Sequence, residues 1–147
     1  KKLGDNLGIK VFTIDKIFWQ AGWIKQEPSA FAKSHNAWLN HAAWIIDGIG
    51  YWNELIRRLD QSDMIIFIDT PLDICKQRAL SRIHEEKSSP NPNITNGCYY
   101  SDVSELQIQL IDDFNVNTKP MLTDVLSNYE KNKVKILQHY AELGLYK

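Results

Sequence analysis

The stretch WIIDGIGYWNELIRRLDQSDMIIFID, residues 44–69, decides the fold. It opens with a short apolar run, Trp44 to Ile46, ended by Asp47-Gly48. A helical segment follows from Trp52 to Leu59, with Trp52, Leu55, Ile56 and Leu59 on one face. A second apolar run, Met64 to Ile68, is closed by Asp69-Thr70-Pro71. Strands buried on both faces read as such short continuous runs. Strands separated by a helix pair in parallel through right-handed crossovers. The stretch therefore predicts a strand–helix–strand unit of an α/β fold.

The same alternation extends outward. Lys10 to Ile14 reads as a strand after Gly8, a helix-ending glycine. Pro28 to His41 suits an amphipathic helix opened by Pro28, with Phe31, Ala32, Trp38 and Leu39 as its apolar positions. Downstream, Leu72 to Ile83 is a helix, and Asp102 to Phe114 another, with Asp102 and Glu105 spaced as a capping box. Pro120 to Lys131 is a further helix, Val134 to Leu137 (VKIL) a fourth strand, and a terminal helix starts at Tyr140. Residues 84–101 are rich in Ser, Pro and Asn and have no period, which predicts a mobile surface loop or lid. The expected fold is one α/β domain spanning 1–147, a three-layer parallel sheet with helices on both faces. In such sheets ligands bind beyond the carboxyl ends of the strands. Asp15, Asp47 and Asp69 each follow a strand, so parallel pairing would bring their carboxylates to one edge.

Composition sets the outer limits. The 147 residues fit one domain. Seventeen basic and 18 acidic side chains give a net charge of -1, which argues against a nucleic-acid partner. No run approaches the roughly 18 apolar residues of a membrane span, and no signal-peptide pattern opens the chain. Cys75 and Cys98 make neither a disulfide framework nor a CxxC metal site, so reduced thiols and a cytoplasmic location are expected. The histidines, His35, His41, His84 and His139, have no metal-ligand spacing. Asn93-Ile94-Thr95 matches a glycosylation acceptor without a secretory signal to support it.

Three constellations carry candidate chemistry, each beside a plainer reading. Asp47-Gly48 at a strand tip suits a carboxylate holding a Mg²⁺-bound water beside a phosphate, or a solvated strand end with a turn glycine. Arg78 and Arg82, four apart, share a helix face and offer forked donors to a polyphosphate. The plainer reading pairs them with Asp73, Glu85 or Glu86. Asp69 more simply ends its strand and caps the next helix than binds metal. Asp15, with Trp19 and Trp23 around Gly22, could orient a hydroxyl acceptor or act as base in phosphoryl transfer. The two tryptophans either floor a pocket or pack the core; Trp38 and Trp44 are core. Arg57-Arg58 is a solvated helix face, or a hold on a substrate phosphate, close after the Asp47-Gly48 turn.

Taken together, these segments resemble the P-loop kinases of the adenylate kinase and nucleoside monophosphate kinase type, and most of all the DNA topology modulation protein FlaR group. The resemblance rests on Leu7-Gly8-Ile9-Lys10-Val11 leading to Ile14 through Trp19, then Gly22-Trp23, Trp44 through Gly48, Met64 through Asp69, and Pro71 with Arg78 and Arg82. It covers roughly 1–83 and 130–147. It implies an ATP- and Mg²⁺-dependent kinase acting on a small molecule or nucleotide, as monomer or homodimer. Asp47 would support Mg²⁺ through water. Gly48 would line the acceptor site and Asp15 its neighbourhood, with Trp19, Trp23, Arg57 and the helix after Pro28 around it. Arg78 would lie against adenine, Arg82 would reach the phosphates, and Lys87 to Gly97 would form the lid.

The chain departs from that pattern in three places. No glycine is followed by lysine, so G-x-x-x-x-G-K-[ST] is absent from the sequence. Lys1 to Gly8 reads like the latter part of the helix after such a loop, so the resemblance implies about 15–20 residues, a first strand and the loop, ahead of Lys1. The alternative is a relative without a phosphate loop. Ile49-Gly50-Tyr51 stands where the adenylate type carries Phe-Pro-Arg, which removes the arginine that holds an AMP phosphate. The lid region holds no arginine. These departures motivate a second expectation, a nucleotide-binding regulatory module with little or no turnover.

Overall fold

The computed structural model describes residues 2–85 and 92–143, which divide into two compact units: 2–62 with 92–98, and 63–85 with 99–143.

In the first unit, helix α1 (Lys2–Leu7) ends at Gly8, whose φ of +66° is open to glycine, and strand β1 (Val11–Thr13) follows. A single turn, α2 (Asp15–Phe18), leads into a small antiparallel hairpin, β2 (Trp19–Gln20) and β3 (Ile24–Lys25). Then come α3 (Pro28–Leu39), β4 (Ile45–Asp47) and α4 (Trp52–Gln61). Strand β1 pairs in parallel with β4, Val11 opposite Ile45 and Thr13 opposite Asp47. The N–H of Ile14 continues the ladder by donating to the Asp47 carbonyl at 2.8 Å.

The centre of this unit is aromatic. Phe31 on α3 is fully buried, edge-on to Phe18 and Tyr51 at 5.8 and 5.2 Å and stacked on His35 at 5.8 Å. Phe12 stacks on Trp38 at 4.9 Å, which places Trp38 in packing as expected. Residues 92–98 are strapped onto the hairpin. Gly22 N–H donates to the Gly97 carbonyl at 2.8 Å and Cys98 Sγ–H to the Gln20 carbonyl at 3.1 Å. The Thr95 hydroxyl reaches the carbonyls of Trp19, Asp15 and Lys16 at 2.7, 3.2 and 3.4 Å. The far half of the expected lid is therefore a bonded strap with Cys98 buried. Lys87 and the rest of 86–91 lie outside the described residues.

In the second unit, β5 (Ile65–Ile68) is followed by α5 (Leu72–Glu85), α6 (Ser104–Asp113), α7 (Lys119–Ser127) and β6 (Val134–Leu137). Strand β5 pairs in parallel with β6, Ile65 opposite Val134 and Ile68 opposite Leu137. Both long-range pairings are thus parallel, and the described strands form two parallel pairs and one hairpin.

Three local expectations are corrected. Residues Tyr100–Val103 form a 3₁₀ turn, and α6 starts after Val103 with no side-chain cap, so Asp102 and Glu105 make no capping box. The break expected before Pro120 is a π-helical turn, Phe114–Thr118, that joins α6 to α7. Pro120 falls in the first turn of α7, directly after the π turn. The last segment, Tyr140–Leu143, is one 3₁₀ turn rather than a helix. Among the described residues no helix is long and apolar enough to cross a membrane.

Candidate functional site

Asp47 is the last residue of β4 and its side chain is exposed. Asp15 follows Ile14, the residue bonded to the Asp47 carbonyl, so the two acids leave the same end of one parallel pair. The turn after Asp47 is built on glycine. Gly48 has φ +111°, and a Cβ there would stand 2.8 Å from Ile14 Cβ. Gly50 has φ +72°, and its Cβ would meet Phe31 Cζ at 2.6 Å. Gly48 is thus required for close backbone packing, a role separate from lining an acceptor site.

The two arginines of α4 part company. Arg57 is half exposed, 3.9 Å from Glu54, as a solvated helix face predicts. Arg58 is 4% exposed, contrary to the solvated-face expectation. Its guanidinium donates to the Gly48 carbonyl, with the Ile49 carbonyl at 3.4 Å. The third partner is His35 Nε2, also at 3.4 Å, while His35 Nδ1 lies 3.1 Å from Glu54 Oε2. One tautomer satisfies both contacts: Nδ1–H donates to Glu54, and Nε2 accepts from Arg58. Burial lowers the Arg58 pKa to about 10, opposed by the charge of Asp47, so the guanidinium stays charged at neutral pH.

Burial, then the Arg58 guanidinium, hold His35 below its ordinary pKa of 6.5, against the opposing pull of Glu54. The unfolded chain then binds a proton at this position more readily than the folded one. Stability should fall as pH drops through 6.5 toward the depressed folded value. Urea midpoints from pH 8 to about pH 5 should show this slope. His35→Gln should flatten it, and parallel curves for the two proteins would contradict the assignment.

Trp19 and Trp23 meet edge-on at 5.5 Å, and Trp19 meets Phe18 at 4.7 Å. A shallow recess of about 370 Å³ lies beside them in sequence rather than on them, lined by Pro28, Tyr51, Trp52, Asn53 and Glu54. The helix after Pro28 contributes to it as expected, but Trp19 does not line it.

The second unit gathers the other candidates. A cavity of about 270 Å³ is lined by Arg78 and Arg82 from α5, Asp69 and Thr70 from the end of β5, and Asn115 and Lys119 from the π turn and α7. Phe114 and Ile68 add apolar wall. Among the described residues the ion pairs include none from Arg78 or Arg82 to Asp73, and Glu86, the last of the expected partners, lies outside the described residues. The Asp69 carboxylate is taken by Lys119 Nζ at 2.6 Å. Three cations against one carboxylate leave the cavity suited to an anion. Lys119 and Asn115 carried no signal in the sequence. The wider π turn sets their direction, and such turns recur at functional sites. Cys75, also on this cavity, is a free thiol, as is Cys98.

Among the described residues no group of three or more His, Cys, Asp or Glu could hold a metal ion by itself. Scans against protein-family models, curated proteins and solved structures each return no match.

Proposed function

We propose that this chain handles a nucleoside polyphosphate and belongs to an ATP- and Mg²⁺-dependent kinase acting on a small molecule or nucleotide, built on a three-layer parallel α/β sheet and working in the cytoplasm. The observation that carries the reading is the cavity shared by Arg78, Arg82 and Lys119. Its forked donors suit phosphate oxygens, and its Phe114 and Ile68 wall suits a planar base. Mg²⁺ keeps several waters and takes one or two carboxylates besides phosphates, and on this reading Asp47, exposed at the end of β4, is the carboxylate that would serve it. When bound, the ion would supply neutralisation of phosphate charge. On this reading Arg82 holds the phosphates, Arg78 lies against the base, and Asp15 orients the acceptor. The recess at Tyr51, Trp52 and Asn53 takes the acceptor's apolar part.

Calorimetry with ATP and ADP tests the binding step. Arg82→Ala should weaken binding by about 1.5–3 kcal/mol, the worth of hydrogen bonds to a charged group. Unchanged affinity would remove the cavity from the reading. Turnover by the protein and by Asp47→Asn tests the chemistry, and equal rates would refute the role of Asp47. Nucleotide binding with no phosphorylated product across nucleosides, nucleotides and sugars would instead support the regulatory module.

A further inference from the structure

Thr95 to Cys98 form a tight turn within the strap on the β2–β3 hairpin. Cys98 N–H donates to the Thr95 carbonyl at 3.1 Å, and Gly97 takes φ +84°. Asn96 keeps a negative φ, so this is a type II turn with asparagine and glycine at its centre. The pair is the one Asn-Gly step in the sequence. Asn96 is exposed, and among the described residues its carboxamide has no partner. The Gly97 N–H donates to nothing among them either, and no Cβ shields it. The backbone on either side is held. Thr95 Oγ1 lies 2.7 Å from the Trp19 carbonyl. The Gly97 carbonyl accepts from Gly22 N–H at 2.8 Å, and Cys98, 3% exposed, donates its thiol proton to the Gln20 carbonyl at 3.1 Å.

We propose that Asn96 is a site of spontaneous deamidation, and that its isoaspartate product releases the strap and bares the Cys98 thiol. Asparagine is among the thermolabile residues. The Gly97 nitrogen attacks Asn96 Cγ once the central peptide of the turn swings, a rotation that glycine permits. The new N–Cγ bond closes a succinimide. The Cγ–Nδ2 bond breaks, and ammonia leaves with the Gly97 amide proton. Water then opens the ring. Addition at Cγ restores the ordinary backbone with aspartate at position 96. Addition at the main-chain carbonyl routes the backbone through the side chain as isoaspartate. Either product gains a carboxylate, and no oxidant or reductant takes part. Isoaspartate also adds a methylene to the main chain between Thr95 on one side and Gly97 with Cys98 on the other. Those anchors face carbonyls and an N–H of a single hairpin region, so the lengthened strap cannot keep them all in register.

The test ages the folded protein, Asn96→Gln and Asn96→Asp at neutral and mildly alkaline pH. Samples are pulsed with iodoacetamide, digested with trypsin and mapped by mass spectrometry. Asn96 and Cys98 share the tryptic peptide between Lys87 and Lys119, so conversion and alkylation are read on the same molecule. Asn96 should be the first asparagine in the chain to convert, and faster at the higher pH. Peptides carrying isoaspartate should show loss of Cys98 protection, while those carrying aspartate keep it. Asn96→Gln would have to close a larger ring, so its Cys98 should stay protected over the same period. Freshly made Asn96→Asp, which has the charge without the added methylene, should keep its strap closed. Conversion at Asn96 only in the urea-unfolded chain, or earlier conversion of another asparagine, overturns the site. Isoaspartate at position 96 with Cys98 still protected overturns the release. Equal Cys98 alkylation in aged Asn96→Gln assigns the exposure to general unfolding and overturns the release as well.

Discussion

Replacing Phe31 by alanine is expected to destabilise the protein by about 3–5 kcal/mol, the range for losing a buried phenylalanine. The ring is fully buried and meets Phe18, Tyr51 and His35. Its removal opens a cavity at the point where α3 supports both the hairpin lead-in and the residues after Asp47. The neighbours are themselves held. Tyr51 Oη–H donates to the Gln26 carbonyl at 2.6 Å, and His35 lies between Glu54 and Arg58, so collapse into the void is limited. Urea unfolding followed by tryptophan fluorescence reads the loss. A shift below about 1 kcal/mol would show that the site relaxes freely and that Phe31 is not the keystone of the aromatic cluster.

Gly50→Val is expected to cost about 3 kcal/mol, from left-handed backbone strain and overpacking together. The added Cβ would meet Phe31 Cζ at 2.6 Å and Ile14 Cγ2 at 3.0 Å, two buried side chains with no room to give. Gly22 supplies the control. Its φ of +74° is similar, yet a Cβ there meets nothing within 4 Å. Gly22→Ala should thus show the backbone cost alone, about 1–2 kcal/mol. Phe31→Leu combined with Gly50→Ala should be less damaging than the sum of the single changes, because the shorter side chain makes space for the new methyl. Strict additivity would mean that the two positions do not touch.

Much of the architecture could be read from the residues because its strands are short apolar runs. Ile65–Ile68 and Val134–Leu137 fall inside the expected segments, Ile45–Asp47 is shifted one residue beyond its own, and α3, α4 and α5 lie within two residues of theirs. The β2–β3 hairpin escaped because two-residue strands carry no alternation, and Ile24 is 62% exposed. The joining of α6 to α7 escaped because a π turn has no composition of its own. Among the candidate residues, Asp47 in the first unit and the arginine pair of α5 in the second stood out through local spacing. Lys119 did not, since its meeting with Asp69 depends on a long loop closure that no periodicity encodes. The difference between Arg57 and Arg58 is written in the helix period. Arg58 lies three residues after Leu55 and directly before Leu59, on the buried side of α4. Its charge argued for solvent and its angular position for the interior, and the carbonyls of an adjacent glycine turn resolved the conflict.

The hydroxyl of Thr95 has a consequence for covalent modification. Its oxygen lies 2.7 Å from the Trp19 carbonyl, with two more carbonyls close by. A phosphoryl or acyl group on that oxygen would replace a donated proton with bulk and, for phosphate, would set negative charge against three carbonyl dipoles. A transferase must therefore reach Thr95 while the strap is unlatched. Any label found there would report that the strap opens.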